Sequence, residues 1–234
     1  MDQLAHAGSN HLLSRLTQVD FALLAPHLKE MRFDQGAVLQ ETDELSEYVF
    51  FPRSGMVSLL TVMRDGRGVE SLTVGREGAV NITAGMCSRR SACRAVMQIE
   101  GDVLQIAAAR FRIAVDSSAL LRDLVVRYND IQMAHLQQTV GCNALHHVKM
   151  RICRWLLEIQ DRSDTDEFPL TQEFLSEMLG VQRTTVTSIA RALQVDGVIR
   201  YRRGRIAVLD RQALESRSCE CYETTRTRNE GIFS

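Results

Sequence analysis

Residues Leu170–Leu209, LTQEFLSEMLGVQRTTVTSIARALQVDGVIRYRRGRIAVL, decide how the rest of this 234-residue chain is read. Thr171 is a good N-cap, and Gln172 and Glu173 follow in the first turn, where the positive end of the helix dipole favours an acid. Phe174, Leu175, Met178 and Leu179 recur at helical spacing and form one apolar face. Gly180 ends that helix in the left-handed conformation that a Cβ disfavours, and Val181 fills the angle to the next helix. A second helix begins near Gln182, with Val186, Ile189, Ala190 and Leu193 as its buried stripe. Its other face carries Arg183, Thr184, Thr187, Ser188 and Arg191, hydrogen-bond donors without an acid among them. Asp196-Gly197 closes it. Val198–Arg202 and Arg205–Leu209 then read as two strands joined at Arg203-Gly204, a hairpin.

Charge says what this surface meets. Between Arg183 and Arg205 stand Arg183, Arg191, Arg200, Arg202, Arg203 and Arg205 against the single acid Asp196, a balance of +5, whereas the whole chain carries −1. Positive charge gathered on one helix and one hairpin is the footprint of phosphate contact. A donor-rich helix end suits the edges of bases in a major groove. The stretch therefore reads as a winged helix-turn-helix. Thr171, Gln182, Arg183, Thr184, Thr185, Thr187, Ser188, Arg191, Arg202, Arg203 and Arg205 are its candidate DNA-binding residues. The wing arginines, Thr171 and Arg191 would contact phosphate, and Arg183, Thr184 and Ser188 would read bases.

Working outward, the chain has room for two modest domains. The N-terminal part looks helical from Asn10 to Met31, where Thr17 or Asp20 could cap a second piece. From Met31 to about Arg110 short apolar runs alternate with turns marked by Gly36, Gly55, Gly78 and Gly101, the pattern of a small antiparallel roll. Ser117 or Ser118 can cap a long helix from Ala119 to about Gly141. On it Leu120, Leu124, Ile131, His135, Gln138 and Cys142 recur at three- and four-residue steps, beside Tyr128. That stripe reads as a parallel homodimer seam, since two recognition helices one DNA turn apart require a dimer. A further helix, His147–Gln160, turns Val148, Ile152, Trp155, Leu156 and Ile159 inward, with Trp155 as the core anchor of the C-terminal domain. The expected organisation is α+β: a jelly-roll-like antiparallel β-roll over 1–116, a dimerisation helix over 117–146, a winged helix-turn-helix over 147–214 and a polar, mobile tail over 215–234.

Six cysteines are scattered through the chain. Cys142 and Cys153 sit in helical patterns as small apolar residues. Cys219-Glu220-Cys221 has neither zinc-ribbon nor thioredoxin-like spacing, so no metal or cofactor is expected. No secretory signal is visible at the N-terminus, and no uncharged apolar stretch approaches the roughly 20 residues a bilayer needs. A DNA-binding module then implies the cytoplasm. No catalytic triad, paired-carboxylate spacing or phosphate-binding loop argues for an enzyme.

The order roll, long helix, winged helix-turn-helix resembles the Crp/Fnr family of bacterial transcription regulators over about residues 20 to 214. The likeness is most specific in Thr171-Gln172-Glu173 and Gly180-Val181-Gln182-Arg183-Thr184-Thr185-Val186. Val140-Gly141 and Arg151-Ile152 fall where the family's dimer helix ends and its next helix begins. The resemblance implies a homodimer on inverted-repeat double-stranded DNA, RNA polymerase as a partner, and an effector at a cyclic-nucleotide-binding-like roll. Arg183 matches the family's guanine-reading arginine. Thr184 and Ser188 replace a glutamate and a second arginine, so the preferred operator should differ. Arg90-Ser91-Ala92 resembles the family's cyclic-phosphate grip, but its ribose-holding Gly-Glu pair falls on Ile82-Thr83 and its adenine contacts on Leu136-Gln137. Cyclic AMP is therefore not expected. Arg90, Ser91 and Thr83 remain as effector positions, and Arg89, Arg90 and Arg94 either hold another anion or decorate an exposed hairpin. The first cysteine is Cys87, so the N-terminal iron–sulfur chemistry of the oxygen-sensing members is not implied. The alternative reading is a small-anion or cyclic-nucleotide receptor with a vestigial DNA-binding module.

Overall fold

Leu12, Leu13, Leu16, Phe21 and Leu24 are buried, but they do not form the single helix expected over Asn10–Met31. The computed structural model, which describes residues 10–86, 90–163 and 165–231, breaks this segment into short turns around α1 (Gln18–Ala22). Thr17 caps α1 by accepting the Asp20 N–H. Pro26 sits at the start of a second one-turn segment, where its missing N–H costs nothing but where a long helix could not pass. Beyond it Lys29–Phe33 is strand β1 rather than helix.

The roll contains β1, β2 (Val38–Gln40), β3 (Tyr48–Pro52), β4 (Met56–Val62), β5 (Gly68–Val74), β6 (Arg94–Ile99) and β7 (Gly101–Ala107). All pair antiparallel in two sheets, ordered β1-β7-β3 and β2-β6-β4-β5. Alternation along β3 gives both faces something to bury: Phe50 enters a cluster with Val57, Leu59, Val74 and Met97 of the other sheet. Val49 and Phe51 point the opposite way, onto the N-terminal turns and the helices that follow. Gly78 allows one of those helices to come close, because a Cβ there would lie 1.9 Å from the Tyr128 Oη. Cys87 and Arg89 lie outside the described residues.

After α2 (Ala108–Ser117), Ser118 caps the 27-residue α3 (Ala119–Leu145) by accepting the Leu121 N–H. The face expected to be a dimer seam is largely occupied by the chain itself. Tyr128 packs on the roll with Leu124 and Ile131, while His135 and Cys142 are covered by the C-terminal segment. Leu120 of that face stays exposed, as does Leu145 at the end of α3, and a neighbouring stripe, Val126, Met133 and Val140, lies in solvent at seven-residue steps, 43%, 53% and 70% exposed.

The C-terminal domain runs α4 (Val148–Arg162), β8 (Glu167–Pro169), α5 (Gln172–Leu179), α6 (Arg183–Val195), β9 (Ile199–Arg202) and β10 (Arg205–Val208). Its small sheet is ordered β8-β10-β9. Trp155 anchors it, as its solitary position predicts, and also reaches outward: its Nε1–H donates to Glu70 Oε1 of β5 at 2.7 Å. Met56, Leu60, Val96 and Ile99 of the roll share one apolar cluster with Trp155, Leu156 and the helix-turn-helix core. The junction is thus part of the core.

The expected mobile tail over 215–234 is corrected. Its described part holds the end of α7 (Arg211–Arg217) and all of α8 (Cys221–Gly231), which packs against α3 and α4. Leu214, Cys219, Cys221 and Tyr222 are buried among otherwise polar neighbours. Tyr222 Oη also donates to Asp161 Oδ2 at 2.7 Å and accepts from Arg211 Nη2 at 2.6 Å. Cysteines supply the buried face where leucines would have announced it.

Candidate nucleic-acid interface

The helix pair forms for the reasons its residues suggest. Thr171 Oγ1 accepts the Phe174 N–H at 3.1 Å, and Gly180 is left-handed at φ 63° and ψ 37°. Gly180 also faces Val69 of β5, whose Cγ2 would be 3.3 Å from an added Cβ. The helix-turn-helix corner therefore rests on the roll. In α6, Val186, Ala190 and Leu193 are buried and Ile189 packs beside them. Gln182 gives α6 no side-chain cap, so the first-turn N–H groups keep their positive end unmasked.

Arg183, Thr184, Thr187, Ser188 and Arg191 all lie exposed on the opposite face of α6, together with Gln182 at its start. Thr185 is only half-buried. Thr187 is also held from within the chain, since its Oγ1 lies 2.6 Å from Gln172 Oε1 and 2.9 Å from the Arg183 carbonyl. It fixes α6 against α5, so it is less free to read a base than Thr184 or Ser188. The hairpin turns at Arg203 (φ 51°) and Gly204 (φ 73°), the two left-handed residues that a tight antiparallel turn requires. The Leu170 N–H donates to the Gly204 carbonyl at 2.7 Å, tying this wing to the start of α5.

The electrostatics differ from the sequence reading in one respect. Glu167 on β8 lies outside the stretch Arg183–Arg205, but it accepts from Arg205 Nε at 2.7 Å and Arg200 Nη2 at 3.3 Å. The Arg205 hydrogen bond, and then that of Arg200, hold its carboxyl below the usual carboxylate range. Arg205 is thus less available to phosphate than its neighbours. The single acid within the stretch, Asp196, is faced by Arg217 of α7 at 3.6 Å. Arg183, Arg191, Arg202 and Arg203 have no ion-pair partner among the described residues. Strand pairing, not sequence proximity, brought Glu167 to the wing.

The suggested effector positions do not converge in the same way. Arg90 Nη1 donates to the Asp43 carbonyl at 2.5 Å. Ser91, buried, donates to the Cys93 carbonyl at 2.8 Å. Thr83 lies in the one-turn segment Ile82–Gly85, and Arg94 faces Glu41 at 3.2 Å. Leu136 packs against the cluster between the two sheets, an apolar side chain where a base contact would otherwise come from.

Comparison with known proteins agrees with this architecture. Residues 150–217 match the family model of the Crp-like helix-turn-helix domain. No curated protein matches the sequence. Among solved structures, FixK2 from Bradyrhizobium japonicum superposes with a TM-score of 0.70 at 16% identity, over 82% of this chain and 98% of that one. A CRP-family transcriptional regulator from Thermus thermophilus gives 0.68 at 22% identity, over 80% and 96%. The c-di-GMP-responsive global regulator CLP of Xanthomonas campestris gives 0.64 at 14%, over 83% and 100%. At such identities the likeness speaks for the fold.

Proposed function

We propose that this chain, which carries a Crp-like helix-turn-helix domain and has the fold of Crp/Fnr transcription regulators, binds inverted-repeat DNA as a homodimer and controls transcription there without a catalytic role. One observation carries the reading: α6 presents an exposed donor face, Arg202 and Arg203 of the hairpin that follows it are exposed as well, and four arginines of this stretch are left without acidic partners among the described residues. Such a surface supplies phosphate affinity and base readout together. The dimer is supported by α3, where Val126, Met133 and Val140 repeat every seven residues and stay exposed in the single chain. A seven-residue apolar repeat is the pattern that two helices bury by supercoiling. RNA polymerase as a partner, an effector at the roll and action in the cytoplasm are parts of the same proposal. Among the described residues no helix is long and apolar enough to cross a membrane.

Binding selection from random duplexes tests this directly, with sedimentation to give the assembly state. An inverted repeat bound by a dimer is expected; a monomer that prefers no sequence over bulk competitor would overturn the reading. In the same selection Arg183→Ala should lose about 1–3 kcal/mol on the preferred site and relax choice at one base pair per half-site. An unchanged selectivity profile would remove Arg183 from base readout.

The wing should behave differently. Arg203→Ala is expected to weaken all sequences about equally. The slope of log affinity against log salt should become shallower by about 0.9 for each phosphate that is no longer neutralised, or roughly 1.8 for a dimer. Anisotropy titrations across a salt series check this; a sequence-dependent loss with an unaltered slope would make Arg203 a base reader instead.

A further inference from the structure

Where α3 ends, the chain brings together four side chains that no account of DNA binding uses. Cys142 and His146 stand four residues apart, on the last turn of α3 and at its C-cap. Cys219 and Cys221 arrive from the far end of the sequence, at the approach to α8 and at its first residue. Their ligand atoms all lie within 4.8 Å of one another, and the three thiols are buried. Cys142 Sγ is 3.6 Å from Cys219 Sγ, and Cys221 Sγ is 3.5 Å from His146 Nδ1. A tetrahedron built with ordinary Zn–S and Zn–N bonds has S···S edges of about 3.8 Å and S···N edges of about 3.5 Å. Two of the observed edges are already near those lengths, and none of the others exceeds 4.8 Å.

Buried cysteines alone would be ordinary apolar packing. His146 argues otherwise. Its Nδ1 faces Cys221, while its Nε2 lies 3.2 Å from the Glu220 carboxylate. A carboxylate on the far nitrogen fixes the tautomer that leaves Nδ1 free to ligate, as is usual behind metal-bound histidines. Glu220, the residue that breaks the familiar two-residue spacing, thus has a place of its own. Arg151 and Arg154, buried on α4, lie close enough to Cys142 and Cys219 for their charges to interact. Three thiolates and a dication sum to one negative charge, which Arg151 offsets, Arg154 being paired with Glu158 at 2.9 Å.

We propose that Cys142, His146, Cys219 and Cys221 form a tetrahedral site for one Zn²⁺, which staples the C-terminal helix across the joint between α3 and the DNA-binding domain. Soft thiolate donors with one imidazole select zinc over the oxygen-seeking cations. The four donors leave no open position, so the site is structural. Sequence spacing alone did not reveal it, since the two halves of the ligand set are 77 residues apart at Cys142 and Cys219.

Titrating the fully reduced chain with Co²⁺ tests the assignment without DNA. Intense ligand-field bands of a tetrahedral thiolate site are expected, saturating at one ion per chain and displaced by one equivalent of Zn²⁺. Cys153→Ser, outside the set, should leave that stoichiometry intact, and Glu220→Gln should weaken Zn²⁺ binding by about 10–100-fold. Cys219→Ser should alter the spectrum, and chelation of the wild type should lower its thermal midpoint. A weak octahedral spectrum, or a tetrahedral one untouched by Cys219→Ser and His146→Ala together, would overturn the proposal. The staple's position at the joint rests on the DNA-binding reading. A chain that takes up the ion but binds no operator would sink that reading and leave the metal site standing.

Discussion

Replacing Trp155 with alanine is expected to cost the protein about 3–5 kcal/mol of unfolding free energy, the range for losing a large buried aromatic. The side chain is 1% exposed and belongs to a cluster drawing on both domains: Met56, Leu60, Val96 and Ile99 from the roll, Leu156 and Ile159 from α4. Loss of the indole would also leave Glu70 Oε1 without the donor it meets at 2.7 Å, a penalty of about 1–3 kcal/mol for a buried polar atom. Trp155→Phe separates the two effects, since it keeps most of the ring and loses the N–H, and should cost about 1–3 kcal/mol. Urea unfolding followed by circular dichroism is the suitable measurement, because this is the chain's only tryptophan. A cost under about 1 kcal/mol for Trp155→Ala would mean that the two domains do not share a core at this residue.

Trp155 also shows how far the sequence reaches. Its periodicity on α4 and its scarcity marked it as a core anchor; nothing in the local pattern could reveal that its N–H bonds a carboxyl group 85 positions earlier. Thr171, Gly180 and the Arg203-Gly204 turn were legible because caps and left-handed turns are written in adjacent residues. The exposed face of α6 was legible because helical spacing fixes which side chains share a side. The rest depended on pairing between distant segments. Glu167 reached the wing through β8, Thr187 met Gln172 across the helix corner, and the roll and the C-terminal segment between them covered most of the face of α3 that reads as a seam. The tail escaped the sequence pattern because its buried residues are Cys219, Cys221 and Tyr222, too few and too polar to look like a hydrophobic face. Val126, Met133 and Val140 were legible in principle as a seven-residue repeat, but the stripe beside them held more leucine and isoleucine.

Glu70 should make stability depend on pH through the neutral range. The residue lies on β5 with its carboxyl turned inward onto Trp155 Nε1 and Ser58 Oγ. Burial pushes that carboxyl up from 4.5 to about 7, against the pull of the Ser58 and Trp155 hydrogen bonds. Because the folded value lies above the unfolded one, the protein is penalised only where unfolded Glu70 would ionise and folded Glu70 resists. Glu70's contribution is therefore fully present below pH 4.5, declines between pH 4.5 and 7, and levels off above, where the loss amounts to about 3 kcal/mol. Glu77 pulls the other way, its carboxyl held low chiefly by Arg162 in opposition to its burial, so the wild-type profile alone does not isolate Glu70. The difference between wild type and Glu70→Gln does. The amide keeps an acceptor for Trp155 and cannot ionise, so the variant should match wild type at about pH 4.5 and gain steadily to about 3 kcal/mol by about pH 8. Parallel unfolding curves for the two proteins across that range would show that Glu70 ionises as freely in the folded chain as in the unfolded one. The contact between roll and DNA-binding domain would then carry no proton.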